Sequence, residues 1–275
     1  MTASTTTTTP SRTVRPPRAR QSAPGSDAVD AEIDERCAEL RLPTVRDRFS
    51  DIAADALRDR ANYKGFLLEL LRAECAERDD RRKARLVREA NFHRPKRLDT
   101  FEYDKNPNID PVYVNNLANP GWVNAGAPLC LLGSSGTGKS HLLIGIGTAI
   151  AEHGLKVRYT TTANLVNELA EAANEKRLSK VLHRYSRYDL LCLDEFGYLN
   201  LDRTGAKLLF QIFTEREERK AIAVASNAPF SEWDKTFADE RLCLAITDRL
   251  TFNGYLIETG EDSYRLQSTL QRQHA

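Results

Sequence analysis

Apolar positions recur at helical spacing through residues 27–92. Ile33, Cys37 and Leu40 fall on one stripe, and Phe66, Leu67, Leu70 and Leu71 on another, three to four residues apart as one face of an α-helix requires. Leu42-Pro43-Thr44 interrupts the first run, and Thr44 is the expected N-cap of a second helix through residue 57. Asn62 and Gly65 loosen the join to a third helix, which Pro95 stops because proline lacks the N–H that a helix interior needs. This is too little chain for a second large core, so a small all-helical module is expected over 27–95. From 96 to 127 the text is rich in Asn, Pro and Gly (Asn106-Pro107-Asn108, Asp110-Pro111, Asn119-Pro120-Gly121) and reads as a linker.

Beyond it, short apolar runs alternate with amphipathic ones. Strands are expected at 129–132, 157–160, 190–193 and 221–225, with helices at 141–153, 164–173 and 205–216. Such alternation specifies an α/β fold, a parallel sheet covered by helices, over 128–270. Residues 1–26 hold Thr, Ser, Pro and four arginines (Arg12, Arg15, Arg18, Arg20) with almost no bulky apolar side chains. They cannot bury enough surface to offset their ordering entropy, so a disordered tail is expected.

Composition narrows the classes. Of 275 residues 41% are hydrophobic and 29% charged, and no run of 18 apolar residues occurs. A membrane span is therefore not expected, nor is a secretory core at the start, and a cytoplasmic protein is. The five cysteines (Cys37, Cys75, Cys130, Cys192, Cys243) are scattered and never spaced C-x-x-C; they read as buried small hydrophobes, not as a zinc site. Net charge is only +1, yet residues 81–97 carry eight basic side chains (Arg81, Arg82, Lys83, Arg85, Arg88, Arg94, Lys96, Arg97) against Glu89 alone. An anionic partner responds to that local charge.

The sharpest chemical signal is Gly133-Ser134-Ser135-Gly136-Thr137-Gly138-Lys139-Ser140, followed by His141, a full match to G-x-x-x-x-G-K-[ST] between an apolar strand and a helix. Glycines let backbone N–H groups converge on phosphate oxygens at a helix N-terminus. Lys139 is placed to reach the β- and γ-phosphates of ATP and Ser140 to bind Mg²⁺. About fifty residues on, the strand Leu190-Leu191-Cys192-Leu193 ends in Asp194-Glu195. Asp194 suits the Mg²⁺ shell and Glu195 the polarising of an attacking water, which points to hydrolysis. A third strand ends in Ser226-Asn227, an amide able to sit between the two motifs. Thr247-Asp248-Arg249-Leu250 offers an arginine that could act on a neighbouring subunit's nucleotide, with Arg241 competing for that role.

The order of these pieces resembles the IstB-like transposition-helper ATPases, relatives of DnaC-type helicase loaders in the AAA+ superfamily. Supporting strings are Phe196-Gly197-Tyr198-Leu199, Phe230-Ser231-Glu232-Trp233 and Ser263-Tyr264-Arg265-Leu266. The resemblance implies an AAA+ P-loop sheet with flanking helices behind the helical N-terminal module. It implies an ATP- and Mg²⁺-dependent enzyme that oligomerises on duplex DNA, remodels it and directs a DDE-type transposase. Asn227 would match the sensor and Arg249 the finger reaching the next subunit. Relatives often carry prolines at Ser134-Ser135, a departure that removes no ligand, and no C-terminal helical lid is expected after Arg265.

The resemblance also implies a helical insertion at 174–188 carrying Lys176, Arg177, Lys180, Arg184 and Arg187. Arg177, Lys180 and Arg184 at i, i+3 and i+7 would share a face about 10 Å long that can follow a phosphate backbone. A solvated face balanced by Glu168, Glu171 and Glu175 is the other reading. In the basic block, Arg81, Arg82, Lys83 and Arg85 suit phosphate contact rather than base stacking, since Phe92 is the lone aromatic of 81–97. The helical module serves DNA or transposase docking equally well. A replicative helicase loader, a small-molecule kinase and a non-catalytic DNA-binding module are the rival functions. A kinase would need a phosphoacceptor, and a binding module has no duty for both Asp194 and Glu195.

Overall fold

The computed structural model describes residues 26–198, 201–237, 239–261 and 263–264. The expected tail before Ser26, with its four arginines, and the chain from Arg265 onward, where a lid was not expected, lie outside the described residues. The chain divides into two units, one up to Glu77 and one from Arg78.

In the first unit α1 (Ser26–Glu39) and α2 (Pro43–Arg58) pair with the first half of α3 (Tyr63–Glu89). Cys37, Val45 and Leu70 form a small core with Ile33, Leu42, Phe49, Ile52 and Phe66 against it. Leu40, Leu67 and Leu71, read from periodicity as part of the apolar stripes, are exposed. Thr44 is not the N-cap of α2. Pro43 occupies the first turn, and the buried Glu74 carboxylate caps it, accepting from the backbone N–H groups of Thr44 (2.9 Å) and Val45 (3.2 Å). A carboxylate at a helix N-terminus satisfies orphan donors and meets the positive end of the dipole.

The second unit contains α4 (Pro111–Leu117), α5 (Gly121–Asn124), β1 (Leu129–Leu132), α6 (Lys139–Glu152), β2 (Val157–Thr161), α7 (Thr162–Asn174), α8 (Leu178–Ser186), β3 (Leu190–Phe196), α9 (Arg203–Arg216), β4 (Ala221–Ser226), α10 (Glu240–Thr251) and β5 (Tyr255–Glu258). The strands make one parallel sheet in the order β2-β3-β4-β1-β5. β1 and β4 are buried at every residue, as expected of strands with helices on both faces. β5 was not anticipated: of its four residues only Ile257 is buried, too weak an apolar run to read as a strand.

Residues 96–127 are not a linker. Val114, Leu117, Trp122 and Val123 are buried in the same apolar cluster as β1 and α6, so the Asn/Pro/Gly text marks turns between short helices. Pro95 does not stop α3 either. The helix ends at Glu89, and Asn91 takes a left-handed conformation (φ 62°) suited to a helix C-terminus. The freed Ala90 carbonyl accepts the Tyr159 N–H of β2 at 2.8 Å. Four cysteines are buried as expected and Cys75 is exposed. Burial pushes the Cys130 thiol up to about 12.

Arg216, at the end of α9, is 1% exposed. Its guanidinium donates to the carbonyls of Tyr185 (2.7 Å), Ala221 (2.8 Å), Tyr188 (3.0 Å) and Asp189 (3.4 Å), tying α8, the entry to β3 and the start of β4 together. Burial lowers it to about 10, because desolvation disfavours the cation.

Candidate active site

At the end of β1 the chain turns sharply through Gly133, Gly136 and Gly138, all at positive φ, and enters α6 at Lys139. A Cβ on Gly138 (φ 101°) would sit 2.7 Å from the Phe101 ring, and one on Gly133 (φ 146°) 2.3 Å from Thr259 Oγ1. Glycine is thus demanded here by the protein's own packing as well as by backbone approach to a phosphate. Residues outside the motif hold the loop. Thr259 donates its N–H to Leu132 O (2.7 Å), Ser134 N–H donates to Gly260 O (2.9 Å), and Asn106 Nδ2 bridges Thr137 O (3.1 Å) and Thr259 O (2.9 Å). Neither Asn106 nor Thr259 was singled out in the sequence, since each matters only through a contact more than thirty residues away.

Lys139 is buried, its ammonium donating to Gly133 O (2.7 Å) and Ser134 O (2.6 Å). A cation fixed inside the loop by carbonyls stands ready for anionic oxygens. Ser140 opens onto the same cleft, about 340 Å³, as Asp194, Glu195 and Asn227. His141 borders it too, but its Nε2 lies 2.9 Å from Arg97 O and 3.3 Å from Thr100 Oγ1, with Phe101 edge-on. Its ring therefore braces the segment before α4, and burial draws its pKa below the usual value, favouring neutral imidazole.

Asp194 and Glu195 do not simply follow a strand that ends at Leu193. β3 continues to Phe196, and its register against β4 shifts between Leu193 and Phe196. Glu195 sits in that bulge at φ 56°, exposed while every other residue of β3 is buried. A bulge re-aims one side chain out of a pleat, and a non-glycine residue in this region stores strain of the kind found at working sites. Asp194 is 6% exposed; its Oδ2 accepts from the Tyr159 hydroxyl (2.8 Å) and its Oδ1 from the Glu195 N–H (2.9 Å). Burial and the Asp194 charge raise the Tyr159 phenol, so it stays a donor. Tyr159 escaped the sequence reading because a tyrosine in a β-strand looks like core. Asn227 is held at the cleft by the end of β4, where the fully buried Trp233 donates Nε1 to Ser226 Oγ and Ala228 O, both at 3.1 Å.

The donor set suits Mg²⁺ and no metal held by protein alone. Among the described residues no three His, Cys, Asp or Glu side chains converge on one point. One hydroxyl and one oriented carboxylate beside a phosphate cradle is the arrangement a hydrated Mg²⁺ shares with nucleotide oxygens.

Other candidates lie elsewhere. Arg249 does not border the loop cleft. Its Nε pairs with Glu217 (2.8 Å), its Nη1 donates to Ala245 O (2.9 Å), and its guanidinium lies 4.8 Å from the Phe210 ring centre. Arg241 is exposed in the first turn of α10 and makes no side-chain ion pair among the described residues. The expected basic face on the insertion is largely neutralised. Arg177 precedes α8 rather than lying in it and pairs with Glu175, and Arg184 pairs with Glu168, so the balanced reading holds for both. Lys176, Lys180 and Arg187 remain exposed. In the basic block, Lys83 pairs with Asp79 (2.6 Å), Arg85 with Glu89 (3.7 Å) and Arg97 with Glu152 (2.7 Å), while Arg82 donates to Gly154 O (3.1 Å) and Arg81 is also engaged. Asp79 and Glu152, outside the window, thus offset part of its charge.

Solved structures share this fold. The replication initiator DnaA bound to AMPPCP and single-stranded DNA superposes with a TM-score of 0.54 at 23% identity, over 66% of this chain and 56% of that one. The DnaC helicase loader gives 0.50 at 19%, over 59% and 95%. These likenesses establish the fold of the parallel sheet and nothing finer. An insertion sequence ATP-binding protein of Sinorhizobium fredii is 35% identical over 85% of this chain and 78% of its own length. The ATP-binding protein of insertion sequence IS5376 from Geobacillus stearothermophilus is 34% identical over 86% and 94%, and that of IS21 from Pseudomonas aeruginosa 30% over 86% and 89%. With the cradle, the bulged carboxylate and a family match covering residues 35–272, the chain belongs to the IstB-like ATP binding proteins.

Proposed function

We propose that this protein is a Mg²⁺-dependent ATPase that oligomerises on duplex DNA, remodels it and directs a DDE-type transposase to it. The observation that carries hydrolysis is Glu195. A strained bulge sets its carboxylate free of the sheet beside Asp194 and across the cleft from Ser140, where a water attacking the γ-phosphate would need a base. Lys139 neutralises phosphate charge, Ser140 and Asp194 hold Mg²⁺, and Asn227 orients the γ-phosphate or the water. Bound Mg²⁺ supplies charge neutralisation on the phosphate oxygens.

Arg249 acts in trans. It stands away from its own chain's cleft, so it can complete catalysis only on a neighbour, and assembly and hydrolysis then share one contact. Of the cations at 174–188, Lys176, Lys180 and Arg187 are the exposed ones left to follow DNA phosphates. The names of the relatives, drawn from insertion sequences, favour a transposase over a replicative helicase as partner.

The test is phosphate release with and without duplex DNA, no other acceptor being added. DNA-stimulated turnover is expected, abolished in Lys139→Ala, while Glu195→Gln binds ATP, stalls and stays on DNA. A wild-type protein that remains monomeric and off duplex DNA with a non-hydrolysable ATP analogue refutes the assembly. Co-purification with a replicative helicase in place of a transposase refutes the partner.

A further inference from the structure

We propose that Arg94 is a nucleotide-binding residue, a cation that reaches the terminal phosphate of ATP from within the same subunit. Nothing in the loop motif or the paired carboxylates points to it, and in the sequence it is one more charge in a basic run.

Its position follows from clamps on both sides. On one side the Ala90 carbonyl is bonded to β2 through Tyr159 N–H, and the rings of Phe92 and His93 lie 5.9 Å and 5.2 Å from the Tyr159 ring. Phe92 also packs over Gly147 of α6, where an added Cβ would come within 3.1 Å of it. On the other side the Lys96 carbonyl accepts from Thr148 Oγ1 (3.4 Å), and the Arg97 carbonyl lies 2.9 Å from His141 Nε2, both on α6. Arg94-Pro95 is the short span between these anchors, with proline stiffening it. Arg94 borders both cavities that Ser140, Asp194 and Glu195 line. It is exposed, and among the described residues it makes no hydrogen bond or ion pair. Of the neighbouring cations, Lys83, Arg85 and Arg97 are paired, while Lys96, which also borders the loop cleft, makes no side-chain ion pair among the described residues.

An unpaired guanidinium bordering the cleft that two carboxylates and a phosphate cradle line can make a bidentate contact with phosphate oxygens. Lys139, held by the loop carbonyls, serves the β- as well as the γ-phosphate, and Arg249 contributes only once a neighbour is present. Arg94 would therefore distinguish ATP from ADP in an isolated subunit. The inference rests on the triphosphate lying along the loop toward Glu195, as proposed above.

The experiment is equilibrium binding of a non-hydrolysable ATP analogue and of ADP, each with Mg²⁺, to dilute DNA-free protein. The proteins compared are wild type, Arg94→Ala, Arg94→Lys and Lys139→Ala. Loss of a charge-assisted contact predicts that Arg94→Ala binds the ATP analogue at least ~10-fold more weakly, with ADP affinity within about 2-fold and Arg94→Lys intermediate. Unchanged affinities in Arg94→Ala, or an equal loss for both nucleotides, overturn the assignment. Lys139→Ala should lose both nucleotides. If it does while Arg94→Ala discriminates as wild type does, Arg94 fails and the nucleotide site stands; if Lys139→Ala binds both normally, the site itself is misplaced.

Discussion

Replacing Tyr159 with Phe removes one oxygen and leaves the ring contacts with Phe92 and His93 in place. That oxygen is the donor to Asp194 Oδ2 at 2.8 Å, and both residues are nearly closed to water, at 4% and 6% exposure. A hydrogen bond to a charged acceptor contributes about 1.5–3 kcal/mol, and a buried carboxylate losing one donor feels most of that. At pH 7 the Tyr159→Phe protein should be destabilised by about 1.5–3 kcal/mol, a fall in Tm of roughly 3–12 °C for a unit of this size. The clean assay is a double-mutant cycle with Asp194→Asn, read by urea unfolding without nucleotide. If the phenol acts through the carboxylate, the coupling energy should exceed about 1 kcal/mol. Coupling below about 0.5 kcal/mol would mean the hydroxyl serves packing alone, and the reasoning fails. A working contact has a second consequence. With Oδ2 no longer held, half-saturation by Mg²⁺ of the ATPase activity proposed above should rise about 10-fold, since each 1.4 kcal/mol is a factor of ten.

Arg216→Met should cost about 3–5 kcal/mol in urea unfolding, because four carbonyls, two of them fully buried, lose a charged donor at once; a loss under about 1 kcal/mol would show that water replaces it. Gly138→Ala should abolish nucleotide binding, since the Cβ meets the Phe101 ring at 2.7 Å. Adding Phe101→Ala should restore only part, leaving the backbone cost of a left-handed alanine, about 1–2 kcal/mol; full recovery would exclude that backbone term. The burial-lowered His141 imidazole binds its proton less readily in the fold than when unfolded. Stability is therefore complete above the unfolded value near 6.5 and is lost as pH falls from there toward the folded pKa. An NMR titration should place the His141 midpoint below the unfolded value, and His141→Gln should flatten the stability decline; a midpoint at or above the unfolded value contradicts the burial.

The strands β1, β2 and β4, the helices α6, α7 and α9 and the whole phosphate loop were legible in the sequence, each within a few residues. They are continuous stretches whose apolar period and glycine spacing state the local geometry directly. Misread segments share one cause: their local text and their tertiary role disagree. The Asn/Pro/Gly stretch 96–127 looks like connecting chain, yet Trp122 and Leu117 are core. Arg177 and Arg184 look like a free basic stripe until Glu175 and Glu168 fold against them. Pro95 looks like a helix stop, whereas α3 is ended earlier by the bond that Ala90 makes to β2.

By itself the chain of letters determined the family and its nucleotide-binding loop, because that loop and the strand-end carboxylate pair are written in contiguous residues. Only the tertiary structure decided how those groups are aimed. The bulge that turns Glu195 outward and the phenol that orients Asp194 depend on register and on partners distant in sequence. Arg94 is the same case, set over the cleft by clamps on β2 and α6. Such placements arise when separate segments pack, and neither periodicity nor motif encodes where a packed segment will come to rest.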